Sequence, residues 1–123
     1  MYWIFVDTEF EASHGLRLAD GTREEVHAHR WQVTAAVCSA ELDGQGFVMD
    51  FVELKQLLDA TVKPLTGKPL EKVCCFGGGN ASAEAVAGLL YDALAARIVP
   101  PGRLDYIEVT EAAGCRARYR PNG

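Results

Sequence analysis

The chain has 123 residues, enough for one domain with a sizeable core, and its 49% hydrophobic content excludes a disordered polypeptide. The formal net charge of −5 argues against nucleic acid as a partner, because phosphate contacts need clustered cations. No stretch approaches membrane-spanning length, and the apolar start carries Asp7 and Glu9 without a basic leader, so no membrane partner is expected and a cytoplasmic protein is.

In chain order, Ile4, Val6, Thr8, Phe10, Ala12 and His14 share one parity in a β-rich run. A second strand starts at His27. Its odd positions read His27, His29, Trp31, Val33, Ala35 and Val37; its even ones read Ala28, Arg30, Gln32, Thr34, Ala36 and Cys38. That is the alternation of a half-buried strand, with the histidines on the apolar side. Gly44 to Gly46 make a turn, and Asp50 caps a helix, with Glu53 completing a capping-box pattern. Phe51, Leu54, Leu57, Leu58, Thr61 and Leu65 follow at helical spacing, and Pro64 lies near the helix end.

A loop runs from about Thr66 to Asn80. Its Gly77-Gly78-Gly79-Asn80 run stands before a helix start, where backbone N–H groups can bind anions. It lacks the strand-turn spacing and Lys-Ser/Thr of nucleotide-binding fingerprints and reads better as a connector. Ser82 or Asn80 caps the second helix, whose stripe is Val86, Leu89, Leu90, Ala93 and Leu94, closed by Pro100-Pro101-Gly102. Two further strands lie near Asp105–Glu111 and Cys115–Arg120, with a turn at Gly114, and Arg116, Arg118 and Arg120 share one solvated face. The order β-β-α-α-β-β makes a single α+β domain over residues 1–123, without internal repeats or a linker. The cysteines, Cys38, Cys74, Cys75 and Cys115, form no C-x-x-C pair and read as reduced thiols.

The three histidines carry the chemistry: His14, twelve residues, then His27-Ala28-His29. Two histidines at i and i+2 of a strand point to one face, with Cα atoms roughly 6.5–7 Å apart. Both rings can therefore converge on one ion at about 2.0–2.1 Å. A third histidine from a neighbouring strand leaves the fourth tetrahedral position open, as catalytic zinc sites do. H-x-H alone is a weak signal, and ordinary polar residues at strand ends are the plainer account. The apolar side on which these rings fall favours the metal, since buried imidazoles need a partner.

Several separated segments then carry a resemblance. Phe10-Glu11-Ala12-Ser13-His14, His27-Ala28-His29, Gly46-Phe47-Val48-Met49-Asp50-Phe51, Ser82-Ala83-Glu84 and Val109-Thr110-Glu111 resemble, in order and spacing, the 6-pyruvoyltetrahydropterin and 6-carboxytetrahydropterin synthase family. The resemblance covers nearly the whole chain and implies the tunnelling fold (T-fold): an antiparallel four-stranded sheet with two helices packed on one face. It implies a homo-oligomer, a hexamer made of two trimers joined edge to edge, and a pterin-like small molecule as ligand. The family's zinc ligands match His14, His27 and His29. Its buried glutamate, which holds the amino-pyrimidine edge of a pterin, matches Glu111, and Ser82 lies where the family has a threonine near the pterin.

The departures bear on the reaction. Members carry a cysteine four residues before the H-x-H pair, where Arg23 stands here, and an Asp-His pair aligned with Thr66-Gly67. Arginine stays protonated and cannot serve as a base at neutral pH. Cys74 or Cys75 could substitute only if their loop folded over the site. Glu24-Glu25-Val26-His27-Ala28-His29 resembles the E-x-x-H-x-H pattern of a branch that cleaves the side chain of dihydroneopterin triphosphate, which implies Glu24 as catalytic base. A charged, solvated turn explains the same residues. Two expectations follow: a zinc-dependent lyase of this family whose usual synthase reaction is altered, or a zinc-containing pterin- or purine-binding protein that has lost catalysis.

Overall fold

In the computed structural model, residues 1–73, 76 and 79–122 are described. Strand β1 (Tyr2–His14) pairs antiparallel with β2 (His27–Ser39) along its whole length, and its last pair is His14 opposite His27. The chain then forms α1 (Phe51–Val62) and α2 (Ala83–Ala95) before returning as β3 (Arg103–Ala112) and β4 (Cys115–Tyr119). The sheet order is β1-β2-β3-β4, every pairing antiparallel. This is the expected β-β-α-α-β-β T-fold.

Both helices cover one face. Alternate residues Val6, Phe10 and Ala12 of β1, Trp31, Val33, Ala35 and Val37 of β2, and Ile107 and Val109 of β3 form one buried cluster with Leu54 and Leu58 of α1 and Leu90 and Leu94 of α2. Removing this apolar area from water is the dominant favourable term in folding. On the opposite face Asp7, Glu9, Arg30, Arg116 and Arg118 stay exposed.

The helix starts follow the sequence. The Asp50 carboxylate accepts the Val52 N–H at 2.7 Å, and the Ser82 hydroxyl accepts the Ala85 N–H at 3.1 Å. Each stripe needs one correction. Phe51, at the first position of α1, is 58% exposed, because it precedes the point where the helix meets the sheet. In α2 the buried residues are Ala83, Val86, Ala87, Leu90 and Leu94, while Ala93 faces outward and Leu89 is half-buried. Among its described residues, the α1–α2 connection contains short 3₁₀ turns at Lys63–Leu65 and Leu70–Lys72, with Leu65 and Leu70 buried. It lies along the free edge of β1: Gly67 N–H donates to Glu11 O at 2.6 Å and Ser13 N–H to Lys68 O at 3.1 Å. Cys74, Cys75, Gly77 and Gly78, singled out above, lie outside the described residues.

Candidate metal site

The β1–β2 register places His14 directly opposite His27, and His29 two residues along β2 on the same face. The His14 Nε2 atom lies 3.1 Å from His27 Nε2 and 3.3 Å from His29 Nε2. Glu111 joins them, its Oε1 2.7 Å from His14 Nε2 and 3.6 Å from His29 Nε2. One ligand atom from each of the four lies within 4.8 Å of the others, so the group could hold a metal ion.

Local structure sets the direction of each ring. His14 is fully buried, and its Nδ1 donates to the Ala81 carbonyl at 2.8 Å, which turns the Nε2 lone pair toward the cluster. His27 Nδ1 lies 3.3 Å from Glu25 O, which orients its ring the same way. Trp31 forms the floor, stacked on His29 at 4.5 Å and edge-on to His14 at 4.8 Å, with its indole N–H donated to Ala12 O. Burial holds the His29 imidazole below its ordinary value, and His14 and His27 push the same way against Glu111. His29 therefore favours the neutral, ligating form.

Glu111 reaches the cluster through an irregularity in β3. Thr110 pairs with Arg116 and Ala112 with Cys115, so Glu111 is left without a partner across the β3–β4 ladder. Bulges of this kind re-aim a side chain next to functional sites. The carboxylate is not fully buried: it is 31% exposed. It also borders a cavity of about 510 Å³ lined by Ala83, Glu84, Glu111, Gly114 and Arg116, among others.

The donor set fits zinc. Three imidazole lone pairs and a carboxylate oxygen are all electron-rich, and they would repel one another at these distances without a proton or a cation between them. Nitrogen and oxygen donors of this kind suit zinc, with His14, His27 and His29 as the natural holders.

The other predicted residues lie outside this cluster. Glu24 accepts the Leu16 N–H at 3.0 Å within the β1–β2 connection. Ser82 is committed to the α2 cap, one residue from the Ala81 carbonyl that holds His14. Thr66 donates its hydroxyl to Val62 O, so nothing at Thr66-Gly67 replaces the missing acid–base pair. Sequence reasoning missed Glu71, whose carboxylate accepts the Gly15 N–H, and the Ala81 carbonyl. No motif marks either. Gly15 was passed over as well: a Cβ there would meet Glu24 O at 2.8 Å, so only glycine lets the chain pass beside His14.

A four-stranded sheet backed by two helices, with a three-histidine cluster and a glutamate at one end, defines a T-fold domain whose cluster could hold a metal ion. The chain belongs to the 6-pyruvoyl tetrahydropterin synthase family, whose sequence model matches residues 3–122. It is 31% identical to a 6-carboxy-5,6,7,8-tetrahydropterin synthase of Synechocystis over 126 residues, covering 97% of this chain and 93% of that enzyme. It is 33% identical to a dihydroneopterin monophosphate aldolase of Pyrococcus furiosus over 70 residues, 57% of this chain and 58% of that enzyme's length. The 6-pyruvoyl tetrahydropterin synthase of Caenorhabditis elegans shares the fold with a TM-score of 0.84 at 18% identity, over 98% of this chain and 96% of that one. A Plasmodium vivax 6-pyruvoyltetrahydropterin synthase, a mutant in which a catalytic glutamate is replaced by alanine, superposes with a TM-score of 0.75 at 16% identity over 98% of each chain. The likeness of those two structures is one of fold. Both sequence relatives are named as enzymes acting on pterins.

Proposed function

We propose that the chain is a zinc-dependent lyase acting on a dihydroneopterin-phosphate-like pterin, with side-chain cleavage in place of synthase chemistry. The observation that carries this reading is the convergence of the His14, His27 and His29 Nε2 atoms beside Glu111. Zinc held by the three histidines would polarise the substrate's side-chain oxygens. Glu111, swung from the histidines toward the adjoining cavity, would accept two parallel N–H bonds from the amino-pyrimidine edge of the pterin. Ser82 would stand beside the ring at the start of α2.

Glu24 is the base in this reading. Its carboxylate exchanges the Leu16 N–H for the hydroxyl on the second side-chain carbon and removes that proton. The bond between the first and second carbons then breaks, and its electron pair passes into the ring imine. The aldehyde leaves, and a proton returned to the first carbon gives a 6-hydroxymethylpterin. One likeness supports this: a relative named as a dihydroneopterin monophosphate aldolase. The E-x-x-H-x-H segment at Glu24 supports it in sequence.

A second reading, a pterin- or purine-binding protein without turnover, is favoured by the present bond of Glu24 to Leu16 N and the absence of an acid–base pair at Thr66-Gly67. In either reading the working form is a homo-oligomer, a hexamer of two trimers. We place it in the cytoplasm, where free thiols such as Cys38 and Cys115 persist; among the described residues no helix is long and apolar enough to cross a membrane.

The deciding experiment incubates zinc-loaded protein with dihydroneopterin mono- and triphosphate and identifies the products. A 6-hydroxymethylpterin is expected. A 6-pyruvoyl or 6-carboxy product would overturn the cleavage reading, and tight binding without turnover would favour the second one.

A further inference from the structure

Beyond the histidine cluster, the β1–β2 connection holds two arginines in an arrangement that the fold itself does not require. Arg17 and Arg23 face each other as an isolated antiparallel bridge. Like charges directly opposite on paired strands destabilise the pairing. Neither guanidinium has a carboxylate within salt-bridge distance among the described residues, a state shared with Arg97 and Arg103, whereas Arg30, Arg116, Arg118 and Arg120 are paired with acids. Two positive charges are thus set together and left unneutralised.

Their placement is fixed by other contacts. The Asn80 side chain holds both backbone groups of Arg17, accepting its N–H at 2.8 Å and donating to its carbonyl at 3.0 Å. Arg23 Nη1 donates to Gly15 O at 2.9 Å, one residue from His14. Arg17, Arg23, Glu71, Gly79 and Asn80 line a cavity of about 490 Å³. Glu71 is the acidic residue on that wall, and its carboxylate is turned to the Gly15 N–H.

We propose that Arg17 and Arg23 form an oxyanion subsite that binds the terminal phosphate of the substrate's side chain. Two guanidinium groups on the wall of one cavity suit a phosphate dianion, offering N–H donors and neutralising it in place of the missing carboxylates. The subsite rests on the pterin reading for the identity of the phosphate carrier: a three-carbon side chain gripped at the histidines extends its phosphate past them, on the Gly15 side. It also accounts for Arg23 at a position where relatives carry a proton-handling cysteine. The position has exchanged chemistry for recognition of the phosphate ester.

The test is calorimetric binding of neopterin and neopterin monophosphate, aromatic pterins that report binding alone, to zinc-loaded protein, with pyrophosphate as a pterin-free arm. Wild type is expected to prefer the phosphorylated pterin by at least about ten-fold, and Arg17→Ala/Arg23→Ala should bring the two within about three-fold. Arg23→Lys should keep part of the preference, because a point charge replaces the fork. Equal affinity of wild type for the two pterins, or a preference that survives the double substitution, overturns the subsite while leaving the pterin reading intact. If neither pterin binds, the pterin reading fails and pyrophosphate decides the subsite alone. Pyrophosphate binding weakened about ten-fold by the double substitution upholds it, and binding indifferent to that change overturns it.

Discussion

His14 and Ala81 are joined by a hydrogen bond of 2.8 Å between the end of β1 and the residue before the α2 cap, 67 positions apart in the chain. That bond fixes which ring nitrogen of His14 faces His27, His29 and Glu111, and so turns three histidines into one donor set. It also ties the histidine cluster to the start of α2, beside Ser82.

The purified protein should hold about one zinc per chain, as expected of three neutral imidazoles with an open position. His29→Ala should lose most of it. Chelation should leave the far-ultraviolet spectrum largely unchanged, because the apolar core lies between the sheet and the helices rather than at the cluster. Metal-free wild type, with His29→Ala indistinguishable from it in metal analysis, would sink the zinc assignment.

Glu111→Gln should weaken pterin binding by roughly 2–4 kcal/mol through loss of a charge-assisted pair of hydrogen bonds. Because Glu111 also touches His14 and His29, zinc content must be measured on the same sample. Equal affinity of variant and wild type at equal zinc content removes Glu111 from the ligand site.

Glu24→Gln should abolish side-chain cleavage while zinc stays bound, a loss of about 10²–10⁴-fold for a general base. Little or no 6-pyruvoyl or 6-carboxy product is expected from wild type, since nothing at Arg23 or Thr66-Gly67 can carry the protons. Cleavage that survives Glu24→Gln would assign the base elsewhere.

The metal-free protein should lose stability as pH falls below the ordinary histidine value of 6.5, because His29 is held below it in the fold. The sign follows from the direction of the shift. A base whose folded pKa is depressed contributes its stability above the unfolded value and loses it as pH drops through the folded one. Urea midpoints between neutral and mildly acidic pH should therefore fall for wild type and fall less for His29→Gln. Parallel profiles for the two would discount the burial of His29.

The two outer strands carry opposite charges on the sheet's exposed side: Asp7, Glu9 and Glu11 on β1 and Arg116 and Arg118 on β4. Edge-to-edge assembly would bring them together, so sedimentation should give a hexamer that loosens with salt. Glu9→Lys/Glu11→Lys should weaken it, and Arg116→Glu/Arg118→Glu in the same chain should restore it. A monomer at low salt and high concentration would contradict this.

The elements and the candidate histidines were legible in the chain, because both are local in kind. Alternation along Ile4 to His14 and His27 to Val37 states which face is buried, and the Asp50 and Ser82 caps state where helices begin. An H-x-H pair on a strand fixes its own geometry. Tertiary structure decided what depends on distant segments. The antiparallel register set His14 opposite His27, the unpaired position in β3 delivered Glu111 to the cluster, and a backbone carbonyl at Ala81 oriented a ring. Glu71 at Gly15 and Arg17 facing Arg23 are of the same kind. They join parts of the chain that no local periodicity links, so their meaning appeared only when the chain had folded.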